Sequence, residues 1–138
     1  MKRFLAGVLV VIGLFSLLAS AQNGSVKVQV PFNFFIGGTN YDAGTYNFSV
    51  TRDTVVISDT QNNPLARTLA NNVSSTHPDS AQIVFNCYAK QCFLYQVFSP
   101  GQDRGRQLLP SRMETEVATR QPRTYMALRQ SGRTLPGR

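Results

Sequence analysis

Apolar and polar residues alternate along much of the chain. From Val26 to Ile36 every even-numbered position is apolar, and polar residues take most of the positions between them. A period of two is typical of a β-strand with one buried face. Pro31 has no backbone N–H to donate, so we expect this strand to lie at a sheet edge or to bulge at the proline.

A hairpin is predicted next, because two alternating segments flank a short polar turn. With a two-residue turn at 52–53, Val50 faces Val55 and Phe48 faces Ile57. This register brings the apolar face of one strand against the apolar face of the other, as a half-buried hairpin requires.

The rest of the chain predicts further short strands and one helix. Ser111 followed by Glu114 fits a capping box, in which the serine caps the helix and the glutamate reaches back. We therefore predict a helix from there to about Arg120, ending before Pro122. A loop rich in Asn, Ser and Pro is expected at 71–80. Short strands are expected at 65–69, 83–87, 92–98, 107–109 and 124–128. The last segment is of a length that allows either a strand or a helix.

Together these elements predict an all-β fold. About seven short strands would form an antiparallel meander, closed into a sandwich or a small open barrel, with one C-terminal helix.

The first 21 residues predict export. Lys2 and Arg3 precede an apolar run at 4–18, and Ala19-Ser20-Ala21 is a small-residue cleavage pattern. This order is that of a cleavable signal peptide. A transmembrane anchor is the alternative, but it needs about 20 apolar residues. We expect a signal peptide at 1–21, a β-domain at 22–120 and a basic, partly disordered extension at 121–138, in a periplasmic or extracellular protein with no membrane span after processing.

Positive charge is concentrated at the C-terminal end. The chain carries +7, of which Lys2 and Arg3 leave with the signal peptide, and the remaining +5 falls in residues 100–138. Such asymmetry occurs in arms that bind anionic surfaces, and more often in solvated tails that keep a protein soluble. The first case predicts contacts with anionic envelope polymers, and no nucleic-acid partner is expected. The candidate contact residues are Arg120, Arg123, Arg129, Arg133 and Arg138.

Cys87 and Cys92 are the two cysteines of the chain. An even count in an exported protein favours a disulfide. With a turn at 89–90 the two residues face each other at a non-hydrogen-bonded position, where Cα atoms are about 4.5 Å apart. Free thiols, a redox pair and a metal site are the alternatives. The spacing is not C-x-x-C, and no further metal ligands lie close in the sequence.

Catalytic chemistry has little support in the sequence. His77 is the only histidine, and a lone loop histidine beside a proline is usually an ordinary surface residue. No nucleophile elbow or phosphate-binding loop is present. We therefore predict no catalytic, cofactor-binding or metal-binding residues and no cofactor.

Several aromatic residues have two interpretations. They could line a ligand pocket, or they could belong to the core and to cross-strand pairs, which is the more frequent case. The residues in question are Phe35, Tyr41, Tyr46, Tyr88 and Tyr95.

A set of short motifs resembles a family of small, exported, uncharacterised bacterial β-domain proteins with the pattern P-F-x-F-x-x-G followed by A-G-x-Y. The resemblance covers about residues 26–120. It implies an exported β-domain and no activity, cofactor or functional residue. Cys87, Cys92 and the Arg-rich extension depart from the pattern. The matching segments are Pro31-Phe32-Asn33-Phe34, Gly37-Gly38, Ala43-Gly44-Thr45-Tyr46, Ile83-Val84-Phe85, Phe93-Leu94, Pro100-Gly101 and Gly105-Arg106-Gln107-Leu108.

The resulting expectation is a non-enzymatic exported β-domain that acts as a structural or binding module of the cell envelope or exterior. The alternative is a carrier of small apolar ligands with lipocalin-like architecture, which would need an internal apolar cavity. A hydrolase that uses His77 as its base is a third and weaker hypothesis.

Overall fold

Ten β-strands and one helix make up the described part of the chain. The computed structural model describes residues 25–75 and 81–130. The predicted signal peptide, His77, Arg133 and Arg138 lie outside the described residues. The elements are β1 (Ser25–Val30), β2 (Phe34–Ile36), β3 (Thr39–Tyr41), β4 (Gly44–Thr51), β5 (Thr54–Ser58), β6 (Pro64–Ser74), β7 (Gln82–Tyr88), β8 (Gln91–Phe98), β9 (Arg104–Leu108), α1 (Arg112–Ala118) and β10 (Arg123–Arg129).

The strands form one open mixed sheet in the order β1-β4-β5-β6-β9-β8-β2-β3. Strand β8 pairs with β9 and β2 along one edge and with β7 along the other, and β7 in turn pairs with β10. The prediction of an all-β fold with a single C-terminal helix is confirmed. The described residues hold ten strands rather than about seven. The pairing of β2 with β8 is parallel, so the sheet is not purely an antiparallel meander.

The segment predicted as one strand from Val26 to Ile36 folds as two strands, β1 and β2. The break lies at 31–33, where Pro31 lacks the N–H that a continuous ladder needs. β1 pairs with β4, whereas β2 crosses to pair with β8. Phe32 in the break packs edge to face against Phe85, with ring centroids 5.1 Å apart. The proline thus redirects the chain from one part of the sheet to another.

Strand β6 is longer than the sequence predicted. Its first half, 64–69, pairs with β5, and its second half, 70–74, pairs with β9. The expected loop at 71–80 is therefore wrong for 71–74. The Asn and Ser residues there favour turns when isolated, but pairing with β9 supplies the backbone partners that hold them extended.

Both predicted hairpin registers are confirmed. Val50 pairs with Val55 and Phe48 pairs with Ile57 across the first turn. The second turn joins β7 to β8, and Ala89 within it has a φ of 55°. Each register follows from a two-residue turn, which fixes the facing pairs on both strands.

One face of the sheet encloses the core. Strand β1 alternates exposed and buried residues, and Val26, Val28 and Val30 are at most 1% exposed. They pack with inward side chains of β4, β5, β7 and β8 in a single cluster that includes Phe48 and Phe85. The prediction that alternating apolar positions form the core is thus confirmed. The single helix of the described residues is seven residues long, so no helix there could span a membrane.

Candidate functional site

Helix α1 lies on the outer face of β7 and β8, opposite the core. Ser111 caps its first turn by accepting a hydrogen bond at Oγ from the backbone N–H of Glu114, 3.1 Å away. Val117 packs against Tyr88 and Phe93 in a second apolar cluster. Residues 83–88 of β7 are consequently all buried, since the core covers one face of the strand and α1 covers part of the other.

A buried carboxylate lies between the helix and the sheet. Glu114 is 5% exposed, and its Oε2 accepts two hydrogen bonds. One comes from Asn86 Nδ2 at 3.1 Å and the other from the hydroxyl of Tyr88 at 3.0 Å. These three side chains, Asn86, Tyr88 and Glu114, form what we call the Glu114 cluster.

The Tyr88 hydroxyl is strongly affected by these surroundings. Burial, followed by its hydrogen bond to Glu114 and the negative charge of that carboxylate, raises the pKa of Tyr88 to about 12. Arg123 opposes this rise through its positive charge and its own hydrogen bond to the phenol. The pKa of the Tyr88 hydroxyl is therefore influenced by an acidic group, Glu114, and by a basic group, Arg123.

Asn86 carries an unsatisfied acceptor. The residue is 2% exposed, and its Oδ1 is buried with no hydrogen-bond partner among the described residues. Exchanging the amide oxygen and nitrogen would direct Oδ1 at the Glu114 carboxylate, which offers no donor when ionised, so the hydrogen bond to Glu114 determines the orientation of the amide. A buried acceptor without a donor costs about 1–3 kcal/mol.

A pocket of about 380 Å³ opens beside the Glu114 cluster. Its size is at the lower end of the range found for small-molecule sites. The wall combines polar side chains with an apolar side made by the chain that leads into α1. The lining residues are Asn86, Tyr88, Tyr95, Gln107, Leu108, Leu109, Pro110, Glu114, Thr115, Ala118 and Arg123.

The rim of the pocket holds a stack of flat side chains. The guanidinium of Arg123 lies over the ring of Tyr125, 4.7 Å from its centroid. Tyr125 in turn lies beside Tyr95, with centroids 6.1 Å apart. Such cation–π and ring–ring contacts restrict the motion of a charged side chain on an exposed strand. Arg123 is thereby held next to the pocket.

Of the aromatic residues considered from sequence, two line the pocket and three do not. Tyr88 and Tyr95 line it. Phe35 stacks on Phe93 at 5.2 Å, and Tyr41 and Tyr46 pack against the core. The core interpretation therefore holds for these last three residues.

The disulfide between Cys87 and Cys92 is present, with Cα atoms 4.0 Å apart. The two residues face each other in the β7–β8 pairing, as predicted. Both belong to the core cluster. Because neighbours alternate along a strand, Asn86 and Tyr88 face the pocket while Cys87 faces inward. The disulfide is thus on the opposite face of β7 from the pocket.

The arginines proposed as anionic-surface contacts are only partly placed. Arg120, Arg123 and Arg129 are exposed, and the last two begin and end β10. The strand predicted at 124–128 is therefore present within the basic extension. In the described ranges, no group of three or more His, Cys, Asp or Glu residues could hold a metal ion.

Sequence reasoning missed the role of Glu114. The capping-box prediction is right for Ser111 but wrong for the carboxylate, which turns to the sheet and not back to the cap. A signal did exist in the pattern, since Met113 and Val117 are four residues apart and mark the apolar side of the helix around Glu114. A polar Asn86 within an otherwise apolar strand was the second signal.

Comparison with family models, curated proteins and solved structures returned no match for this chain.

Proposed function

We propose that this protein is an exported, non-enzymatic binding module, and that the pocket beside α1 is its small-molecule site. The observation that carries this proposal is the pocket of about 380 Å³ with the buried Glu114 cluster in its wall. A few polar groups in a largely apolar concavity are the usual composition of a ligand site.

The polar groups of the pocket favour binding over catalysis. Glu114 is held by two hydrogen bonds, and the Tyr88 phenol is kept protonated by burial. The wall also holds the aliphatic hydroxyl of Thr115, which donates to the Ser111 carbonyl at 3.0 Å. A nucleophile would need a base within hydrogen-bond reach, and this hydroxyl has a carbonyl there instead.

The carrier hypothesis has less support. A lipocalin-like carrier would hold its ligand inside the sheet. Phe34, Phe48 and Phe85 are all 0% exposed and occupy that interior together with aliphatic side chains. The pocket lies on the other face of β7, beneath the helix.

Export is part of the same proposal. The signal-peptide pattern at 1–21 supports it, and so does the disulfide, because such bonds persist in oxidising compartments. We place the protein in the periplasm or outside the cell. The resemblance to small exported bacterial β-domain proteins agrees with that location.

The binding proposal is tested by two-dimensional NMR of the purified protein with a library of small polar and aromatic compounds. Hits should shift the amide signals of pocket residues, including Tyr88 and Thr115. Ala118→Trp would fill the pocket from the helix and should abolish the shifts. Ala127→Trp on β10 introduces the same side chain at a residue that does not line the pocket, and it should leave the shifts in place. Absence of hits, or shifts that persist in the filled variant, would refute the site.

A second candidate function concerns the basic end of the chain. Arg120 and Arg129 are exposed, and the last 39 residues hold the whole +5 of the processed chain. We propose salt-sensitive contact with anionic envelope polymers through this end.

The charge test must spare β10, because this strand pairs with β7. Replacing Arg120 and Arg129 with Gln and ending the chain at residue 130 should weaken retention on a lipoteichoic-acid or heparin resin at low salt. Replacing Lys27, Arg52, Arg67 and Lys90 with Gln is the matched control, since it also removes four positive charges, from exposed residues that precede residue 100. Equal retention of all three proteins would rule out the contact.

A further inference from the structure

We propose that the pocket beside α1 binds a small zwitterion, a molecule that carries both an ammonium and a carboxylate group, as a free amino acid does. The ammonium would lie at Glu114 and Asn86, and the carboxylate at Arg123. This inference rests on the proposed binding function and adds the chemical class of the ligand.

The acceptor side of the pocket fits an ammonium group. Glu114 has one oxygen occupied by Asn86 and Tyr88, which leaves Oε1 for a further donor. Asn86 Oδ1 is a second acceptor without a donor among the described residues, and its side chain is 98% buried in the pocket wall. An ammonium offers three N–H donors and one positive charge, so it can donate to Glu114 Oε1 and balance the carboxylate, next to a wall residue, Asn86, that lacks a donor for its own oxygen.

The donor side of the pocket fits a carboxylate. Arg123 makes no ion pair with any acidic group in the described ranges, and its guanidinium is positioned by the ring of Tyr125. A planar guanidinium binds a carboxylate through two parallel hydrogen bonds. Gln107 adds a donor, because its Oε1 already accepts from Gln96 Nε2 at 2.8 Å and its own Nε2 remains.

The charge arrangement selects against other classes of ligand. Glu114 and Arg123 line the same pocket, yet they do not pair with each other, and the Tyr88 hydroxyl interacts with both. A cation would be repelled by Arg123 and an anion by Glu114. A neutral polyol would leave both charges without a counter-charge in a partly desolvated site. A zwitterion supplies a partner of the opposite sign to each.

The remaining wall would contact the ligand's side chain. Leu109, Pro110 and Ala118 form an apolar side, and Tyr95 offers a ring. Leu109 is 68% exposed, and a ligand that packs against it would reduce this exposure. An apolar amino acid therefore fits better than a small polar one.

The class of ligand is tested by calorimetry on the purified protein with four probes. L-leucine carries both charges, L-leucinamide only the ammonium, N-acetyl-L-leucine only the carboxylate, and maltose neither. We expect one leucine to bind per chain and each capped derivative to bind at least tenfold more weakly, since losing a charged hydrogen bond costs about tenfold or more. Equal affinity for the capped probes, or binding of maltose without leucine, would overturn the proposal.

Two variants separate a recognition role from a merely structural one. Arg123→Gln should weaken leucine at least tenfold while leaving or improving the affinity for leucinamide, because it removes the charge that repels a cation. Arg67→Gln removes the same charge from an exposed site on β6 and should leave all four affinities unchanged. An equal loss for leucine and leucinamide in Arg123→Gln would contradict the assigned carboxylate contact.

The outcome also distinguishes this inference from the function on which it rests. If library compounds shift pocket signals but leucine does not bind, the zwitterion assignment fails and the binding site stands. If neither the library nor any of the four probes binds, both proposals fail.

Discussion

The Tyr88 hydroxyl donates a hydrogen bond to Glu114 Oε2 across 3.0 Å, between two residues that are 26 positions apart in the sequence. This contact joins the end of β7 to the first turn of α1. Both side chains are at most 5% exposed, so the contact is formed away from bulk water, where a charge-assisted hydrogen bond is strong and a missing partner is costly.

Removing the Glu114 carboxylate should destabilise the fold. In Glu114→Ala the buried Tyr88 hydroxyl and Asn86 amide both lose their acceptor, so we expect the free energy of unfolding to fall by about 3 kcal/mol. Urea denaturation measures the change. Glu116→Ala is the control, because Glu116 is exposed and its carboxylate forms an exposed ion pair with Arg112 at 3.4 Å. The free energy of unfolding of Glu116→Ala should fall by less than about 0.5 kcal/mol. Similar decreases for the two variants would contradict a buried role for Glu114.

Stability should fall at high pH because of Tyr88. Its pKa is raised to about 12 in the folded chain from 10.0 in the unfolded chain. Below about pH 10 the phenol is protonated in both states, and its contribution is fully present. Between about pH 10 and pH 12 the unfolded chain loses this proton while the folded chain keeps it, so unfolding becomes easier as pH rises.

The measurement for this pH effect compares the original chain with Tyr88→Phe. The free energy of unfolding should decline more steeply in the original chain over that range. Other tyrosines, including Tyr46 with its raised pKa, titrate in both proteins and cancel in the difference. Parallel curves for the two proteins would show that Tyr88 is not held protonated by the fold.

The disulfide should contribute modestly to stability. Cys87 and Cys92 are five residues apart, and closing so short a loop removes about 2 kcal/mol of chain entropy from the unfolded state. We expect the reduced chain to keep its circular dichroism spectrum and to lose about that much free energy of unfolding. Mass spectrometry after alkylation would verify the redox state of each sample. Complete unfolding on reduction would show that the bond is required for the domain and does more than staple a hairpin.

Strand β9 approaches β8 closely enough to require a glycine. A Cβ added at Gly105 would overlap the ring of Phe98 and lie 2.8 Å from the carbonyl oxygen of Val97. Gly105→Ala should therefore cost about 1–3 kcal/mol as overpacking. Gly38→Ala is the matched control, because an added Cβ there meets no atom within 4 Å. Thermal unfolding of both variants decides this, and an unchanged melting temperature for Gly105→Ala would contradict the close approach.

The parts of the fold that were predicted correctly depend on neighbours in the sequence. A two-residue turn sets which residues face each other, so Val50 opposite Val55 and Cys87 opposite Cys92 follow from spacing alone. The cap at Ser111 likewise needs only the N–H of a residue three positions later. These interactions form within a few residues, where few alternatives exist.

The incorrect predictions concern contacts between distant segments. Local composition predicted a loop at 71–74, but pairing with β9 extends β6 to Ser74. The period of two ran through Pro31 without showing that β2 would leave β1 and lie parallel to β8. Backbone pairing across the sheet outweighed local preference in both places, since an extended segment gains most once a partner strand is present.

The sequence by itself determined the strand-rich class, the inward apolar face, two hairpin registers, the disulfide and the helix start. Only the tertiary structure decided that Glu114 turns from the cap to Asn86 and Tyr88, and that a pocket forms there beside Arg123. The physical reason is that a cap or hairpin is satisfied within one turn of chain. A buried carboxylate instead takes the best donors that the packed fold brings to it, wherever they lie in the sequence.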